Sequence, residues 1–128
     1  MKPRLIMCIC TGECPGFKDL DLWRLVNYAR NELDVEYVIV HPQLCVDDGD
    51  RFWSDYLRGD NNDAVYIVGG CDPRTQRKLF KEAFTGKGLD VEKNLLPLDL
   101  RNLPTEEAMK RVEEAVEQAK KLMGEELS

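Results

Sequence analysis

The chain has 128 residues, 43% of them hydrophobic, with 18 Lys and Arg against 24 Asp and Glu and a formal charge of -6. That length and apolar content suit one domain, residues 1–128, with a core of its own. The acidic balance excludes the basic field that holds nucleic acid or an anionic membrane surface, no apolar run approaches the ~18 residues of a membrane span, and the N-terminal segment lacks a signal-peptide pattern; the sequence therefore predicts a cytoplasmic protein that engages neither nucleic acid nor membrane.

Taken in order, strand and helix patterns alternate. Arg4 to Cys10 reads as a first strand, nearly all apolar, followed by a loop from Thr11 to Gly16 with two glycines and a proline as breakers. Asp19 or Asp21 caps a helix running to about Leu33, with Leu20, Leu22, Trp23, Leu25, Val26 and Ala29 as a broad apolar face. Glu36 to His41 forms a second strand that Pro42 ends, since proline cannot donate to the ladder. Leu44-Cys45-Val46 follows, and a helix from about Asp50 to Leu57 carries Phe52, Trp53, Tyr56 and Leu57, aromatic spacing that suits core packing better than a cofactor box.

Arg58 to Asp63 is a polar loop, and Ala64 to Val68 a buried strand of mostly β-branched or aromatic residues. Gly69 and Gly70 then allow a sharp turn into Cys71. Asp72 as N-cap and Pro73 at the first helical position start the next helix beside that thiol, where the positive dipole end favours a thiolate. The helix runs to about Thr85 with Leu79, Phe80, Ala83 and Phe84 inward, and Gly86 and Gly88 stop it. Lys93 to Asp99 is a fourth strand, at an edge because of Pro97, and a long helix from about Thr105 to Met123 has Ala108, Val112, Ala115, Val116, Ala119 and Leu122 as its stripe.

Buried strands joined by helical crossovers imply an α/β fold, a small doubly wound parallel sheet of about four strands covered on both faces, Rossmann-like or flavodoxin-like, with 2-1-3-4 as the expected order. Sites in such sheets form outside the carboxyl ends of the strands, where the crossovers diverge. All five cysteines fall there. Cys8 and Cys10 end the first strand on one face, Cys14 lies in the loop beyond, Cys45 follows the second strand and Cys71 the third. An odd number of cysteines argues against a disulfide framework and for thiols that bind metal or do redox chemistry. Burial as small hydrophobes suits Cys8 but explains Cys14, Cys45 and Cys71 poorly, because those sit in loops.

Convergent thiolates suit an iron–sulfur cluster or tetrahedral zinc, and the C-x-C-x3-C spacing with distant single cysteines leaves the metal open. His41, the only histidine, is a candidate substitute ligand or base. The sequence contains no phosphate-binding loop, dinucleotide fingerprint or nucleophile elbow, and Arg74 is too close to Cys71 for a C-x5-R phosphatase loop. The cluster Asp47, Asp48 and Asp50 reads as a solvated helix start.

Four ordered blocks resemble the N-terminal domain of the A subunit of heterodisulfide reductase. They are Cys8-Ile-Cys10, Leu44 to Gly49, Val68-Gly-Gly-Cys-Asp-Pro-Arg-Thr75 with Leu79 to Phe84, and Leu100-Arg-Asn102. The Cys-x-Pro-Arg block is the most specific of them. The resemblance implies a [4Fe-4S] cluster within an electron-transfer complex, with Cys10, Cys45 and Cys71 as ligands and Cys8 or Cys14 as the fourth. In such a module Gly69 and Gly70 would allow close approach, and backbone N–H groups near Asp72 to Thr75, with Arg74 among them, would tune the cluster. Thr11 and Glu13 stand where that family has Gly and Asn, and its flavin domain has no counterpart in these residues. The protein is therefore expected to work with a partner oxidoreductase or other redox protein rather than alone. A cysteine-based redox-sensing, zinc-binding or regulatory interaction domain is the competing expectation.

Overall fold

A computed structural model describes residues 2–8, 20–41, 44, 47–57, 64–70 and 72–124, with residues 47–50 described by their backbone alone. Its centre is a sheet of four strands, β1 (Arg4–Cys8), β2 (Val38–His41), β3 (Tyr66–Gly70) and β4 (Leu95–Asp99), all parallel and ordered β2-β1-β3-β4. The order is the one the crossover argument predicts, with β1 and β3 central.

Alternation along the strands sorts their side chains to two faces. Leu5, Met7, Val65 and Ile67 meet helices α1 (Leu22–Glu32) and α5 (Thr105–Leu122) on one side. Ile6, Tyr66, Val68 and Leu95 meet α2 (Asp47–Tyr56), α3 (Pro73–Gly86) and the short α4 (Val91–Asn94) on the other. We call these the α1/α5 face and the α2/α3 face. Among the described residues no helix is long and apolar enough to cross a membrane.

Helix α1 begins at Leu22 because Asp21 accepts from the backbone N–H of Arg24, the capping bond its side chain is suited to make. It runs parallel to α5, tied by Asp21 N–H to Thr105 Oγ1 at 2.9 Å, Arg24 to Glu106 at 2.8 Å, and Tyr28 to Glu113. At the far end Asp34 pairs with Lys120 at 3.1 Å and with Lys2 at 3.3 Å.

Several helix faces differ from the sequence expectation. Trp23, Leu79 and Leu122 are exposed at 66%, 41% and 54%. Each lies at the margin of a stripe whose centre is set by residues spaced four apart, so the face in contact with the sheet is narrower than the apolar set. In α2 Trp53 is fully buried, as is Leu57 just beyond it, while Tyr56 is exposed, so only part of the aromatic set is core.

The fourth strand starts at Leu95 rather than Lys93. Asp90 caps α4 through Glu92 N–H, and the buried Asn94 closes that turn by accepting from Asp90 N–H at 2.8 Å and donating to the Ala64 carbonyl at 2.9 Å. Helix α2 begins at Asp47 and β2 at Val38. Strand β4 is an edge, as Pro97 predicts: Leu100 N–H donates to Gly70 O at 3.0 Å, so the N–H positions alternating with it face the open side, and Pro97 falls on one of them.

Candidate functional site

The carboxyl ends of the strands present one residue each toward the α2/α3 face. Cys8 of β1 is the register partner of His41 of β2, and Gly70 of β3 that of Asp99 of β4. Gly70 in turn lies against Cys8: a Cβ built on it would stand 3.3 Å from Cys8 Cβ and 3.6 Å from Cys8 O. The row across the sheet is therefore His41, Cys8, Gly70, Asp99.

Cys8 is half-buried and makes two further contacts that matter chemically. Its Sγ accepts a hydrogen bond from the backbone N–H of Leu44 at 3.3 Å, and its side chain packs against the Trp53 and Phe80 cluster. Leu44 precedes Cys45 in the chain, and Gly70 precedes Cys71. The residues just before two other cysteines are thus both neighbours of Cys8, Leu44 through a hydrogen bond to its sulfur and Gly70 across the ladder. Cys10, Cys14, Cys45 and Cys71 themselves lie outside the described residues.

His41 is buried and sits edge-on to Phe52, ring centroids 5.0 Å apart. A thiol and an imidazole side by side at a strand edge form a soft sulfur and nitrogen donor pair, of the kind zinc and iron–sulfur centres use. Among the described residues no group of three or more potential ligands gathers.

The two glycines have different surroundings. Both belong to β3 and neither has a positive φ, so they are not a turn, contrary to the sequence expectation. Their lack of a side chain matters for close packing instead. Gly69 faces α1 and α5, where a Cβ would come within 2.8 Å of Leu100 Cδ1 and 2.9 Å of Met7 Sδ. Gly70 alone of the pair adjoins Cys8.

Asp72 is the N-cap of α3, its carboxylate accepting from Arg74 N–H at 2.8 Å, with Pro73 opening the helix as expected. The Arg74 side chain is exposed. Beside Gly70, Asp99 is clamped by Arg101 through Nε at 3.0 Å and Nη2 at 2.8 Å, and this guanidinium holds the Asp99 carboxyl below its ordinary range.

Three participants are not obvious from the sequence: the Leu44 amide, the Asp99–Arg101 pair, and Gln76 of α3. Gln76 is 2% exposed, and its Nε2 lies 3.9 Å from the point where a Gly70 Cβ would stand. Its signal was the spacing, since Gln76, Phe80 and Phe84 recur every four residues and place a carboxamide on an apolar stripe. Compared with known proteins, the chain matches no family model and no curated protein.

Proposed function

We propose that the protein is an iron–sulfur electron-transfer module, resembling the N-terminal domain of the A subunit of heterodisulfide reductase and working with a partner oxidoreductase. The observation that carries this reading is the pair of neighbours of Cys8: Leu44, which precedes Cys45, bonds its sulfur, and Gly70, which precedes Cys71, lies beside it across the ladder. Two loops that carry thiols in the sequence thus depart from the same point at the sheet's carboxyl edge. Cys10, Cys45 and Cys71 are the proposed ligands, with Cys8 or Cys14 as the fourth.

A [4Fe-4S] cluster bound there would supply one-electron chemistry at a potential set by its ligands, hydrogen bonds and exposure. The chain's own contribution is a cradle of donors. Leu44 N–H already points at sulfur, and α3 begins three residues after Gly70, so the positive end of its dipole lies on the chain just past that strand end and favours negative charge there. The α2/α3 cluster beneath Cys8 keeps water from that side.

A zinc-binding or regulatory domain is the second reading, and the register pairing of His41 with Cys8 favours it, because mixed sulfur and nitrogen ligation is common for structural zinc. Anaerobic purification followed by iron, acid-labile sulfide and zinc analysis separates the two. The electron-transfer reading expects stoichiometric iron and sulfide, lost in the Cys10→Ser, Cys45→Ser and Cys71→Ser variants. Zinc without sulfide would overturn it in favour of the second.

A further inference from the structure

The two edges of the sheet differ. On β4 the outward side carries Pro97, which has no N–H to offer another strand. On β2 the outward residues follow from the ladder. Leu5 N–H donates to Tyr37 O at 3.1 Å, and the register pairs Leu5 with Val38, Ile6 with Ile39 and Met7 with Val40. Alternate residues of a parallel strand serve one neighbour, so Tyr37, Ile39 and His41 bond β1 while Val38 and Val40 turn their N–H and C=O away from it. Among the described residues no strand lies beyond β2, and Val38, Ile39 and Val40 are all partly exposed.

Aromatic side chains border this edge on both faces of the sheet. Helix α1 contacts β2, whereas α5 contacts β3 and β4. Arg24 and Tyr28 of α1 reach α5, and steps of about 100° per residue put Trp23, Asn27 and Arg30 on the opposite flank, above the open edge. All three are exposed, Trp23 at 66%. On the other face the rings of Tyr56 and Tyr37 lie 6.4 Å apart and those of Phe52 and His41 5.0 Å, with Tyr56 exposed. The chain has 24 acidic against 18 basic side chains, yet this flank of α1 holds an arginine and no carboxylate. Asp34 and Glu36, just before β2, are paired with Lys2, Lys120 and Arg4. Aromatic and arginine side chains with few free carboxylates make the composition of an interface centre.

We propose that β2 is a dimerisation edge, pairing antiparallel with β2 of a second copy of this chain about a two-fold axis at Ile39. The edge admits one register. Val38 meets Val40 of the second copy, each such pair exchanging both N–H···O bonds, and Ile39 lies opposite itself. A slip one way would set Val38 against Pro42, which lacks an N–H; a slip the other way would set Val40 against Glu36, whose N–H already donates to Pro3 O at 2.8 Å. Because α1 packs on β1 and β2 together, a strand spacing of about 4.8 Å brings α1 and its copy to about 10 Å, the distance of packed helices. The two helices run antiparallel there, and Trp23 of each copy meets Arg30 of the other as a cation–π pair. Two acidic chains thus meet along a border without facing carboxylates.

Sedimentation equilibrium of the full chain in reducing, anaerobic buffer tests the proposal, since no intermolecular disulfide then mimics a dimer. A concentration-dependent dimer is expected. Trp23→Glu changes an exposed position and should weaken the dimer at least about tenfold, the effect of an interface hot spot. Val38→Pro removes an outward N–H while leaving the bonds to β1, and should weaken it similarly. Leu79→Glu, at an exposed position on α3 away from this edge, should stay within about twofold of the parent. Amide exchange reads the same contact without mutation: the Val38 and Val40 N–H groups should slow about tenfold where about nine-tenths of the protein is dimer. A parent that stays monomeric up to about 500 µM overturns the proposal. Fast exchange at Val38 and Val40 in that monomer would assign the edge to a different chain, and slow exchange to a segment of the chain itself. A dimer that Trp23→Glu leaves within about twofold of the parent also overturns it, by placing the contact elsewhere.

Discussion

Leu44 donates its backbone N–H to Cys8 Sγ at 3.3 Å across a sequence separation of 36 residues, fastening the chain beyond β2 to the end of β1. Because Leu44 is buried, its N–H has no ready exchange for water if the acceptor goes. Cys8→Ala should therefore cost about 1–3 kcal/mol by leaving that donor unsatisfied. Cys8→Ser keeps an acceptor and should cost less. Urea denaturation of the two variants checks the order, and equal losses would remove the hydrogen bond as the cause.

The two glycines of β3 should respond to alanine differently. At Gly69 the new methyl meets Leu100 and Met7 in a filled part of the core, so Gly69→Ala is expected to lose about 1–3 kcal/mol by overpacking. At Gly70 the nearest atoms belong to Cys8, whose Cβ and carbonyl are fixed by the strand, and the amide of Gln76 lies beyond. Gly70→Ala should disturb the thiol more than the fold. Melting curves together with Cys8 alkylation rates on both variants give the comparison.

Asn94 ties the cap of α4 to the segment leading into β3 by holding the Asp90 N–H and the Ala64 carbonyl with one side chain. Asn94→Leu matches its volume but strands the buried Ala64 carbonyl and removes the part-buried bond from Asp90 N–H, a loss of about 1–3 kcal/mol set mainly by the carbonyl. Thermal and denaturant unfolding of this variant should show one of the larger single-site effects in the chain.

Acid and alkali should act through different residues. Hydrogen bonding to Lys120 chiefly lowers the Asp34 pKa, and that to Arg101 the Asp99 pKa, both from an ordinary value of 3.8. The unfolded chain then binds more protons than the folded one just below pH 3.8, so stability is lost as pH falls through the folded values. Burial pushes the Tyr37 hydroxyl up to about 12 from 10.0, outweighing the nearby Arg4 guanidinium. Here the folded chain holds the proton longer, and stability is lost as pH rises from 10.0 toward about 12. Tyr37→Phe should flatten the alkaline limb of a pH–stability curve and leave the acid limb in place.

Pro97 removes an N–H from the open side of β4 and so guards an edge against strand addition. Pro97→Val restores that donor within a strand-forming sequence. Greater self-association by analytical ultracentrifugation is expected, at little cost to the monomer's fold.

The sequence by itself determined the architecture. Apolar strand runs separated by capped helices admit few arrangements other than a parallel sheet wound on both faces, and Pro97 marked its edge, because both features follow from local backbone chemistry. It also put Cys8 at a strand's carboxyl end, since burial and strand length are read along the chain. The tertiary structure alone decided what surrounds that thiol. Strand parity sends Gly69 and Gly70 to opposite faces, the crossover brings Leu44 back over β1, and the angle at which α3 lies on the sheet buries Gln76 while leaving Leu79 exposed. Such contacts join residues far apart in the chain, and they depend on where whole elements settle when two cores pack at once, which no local pattern encodes.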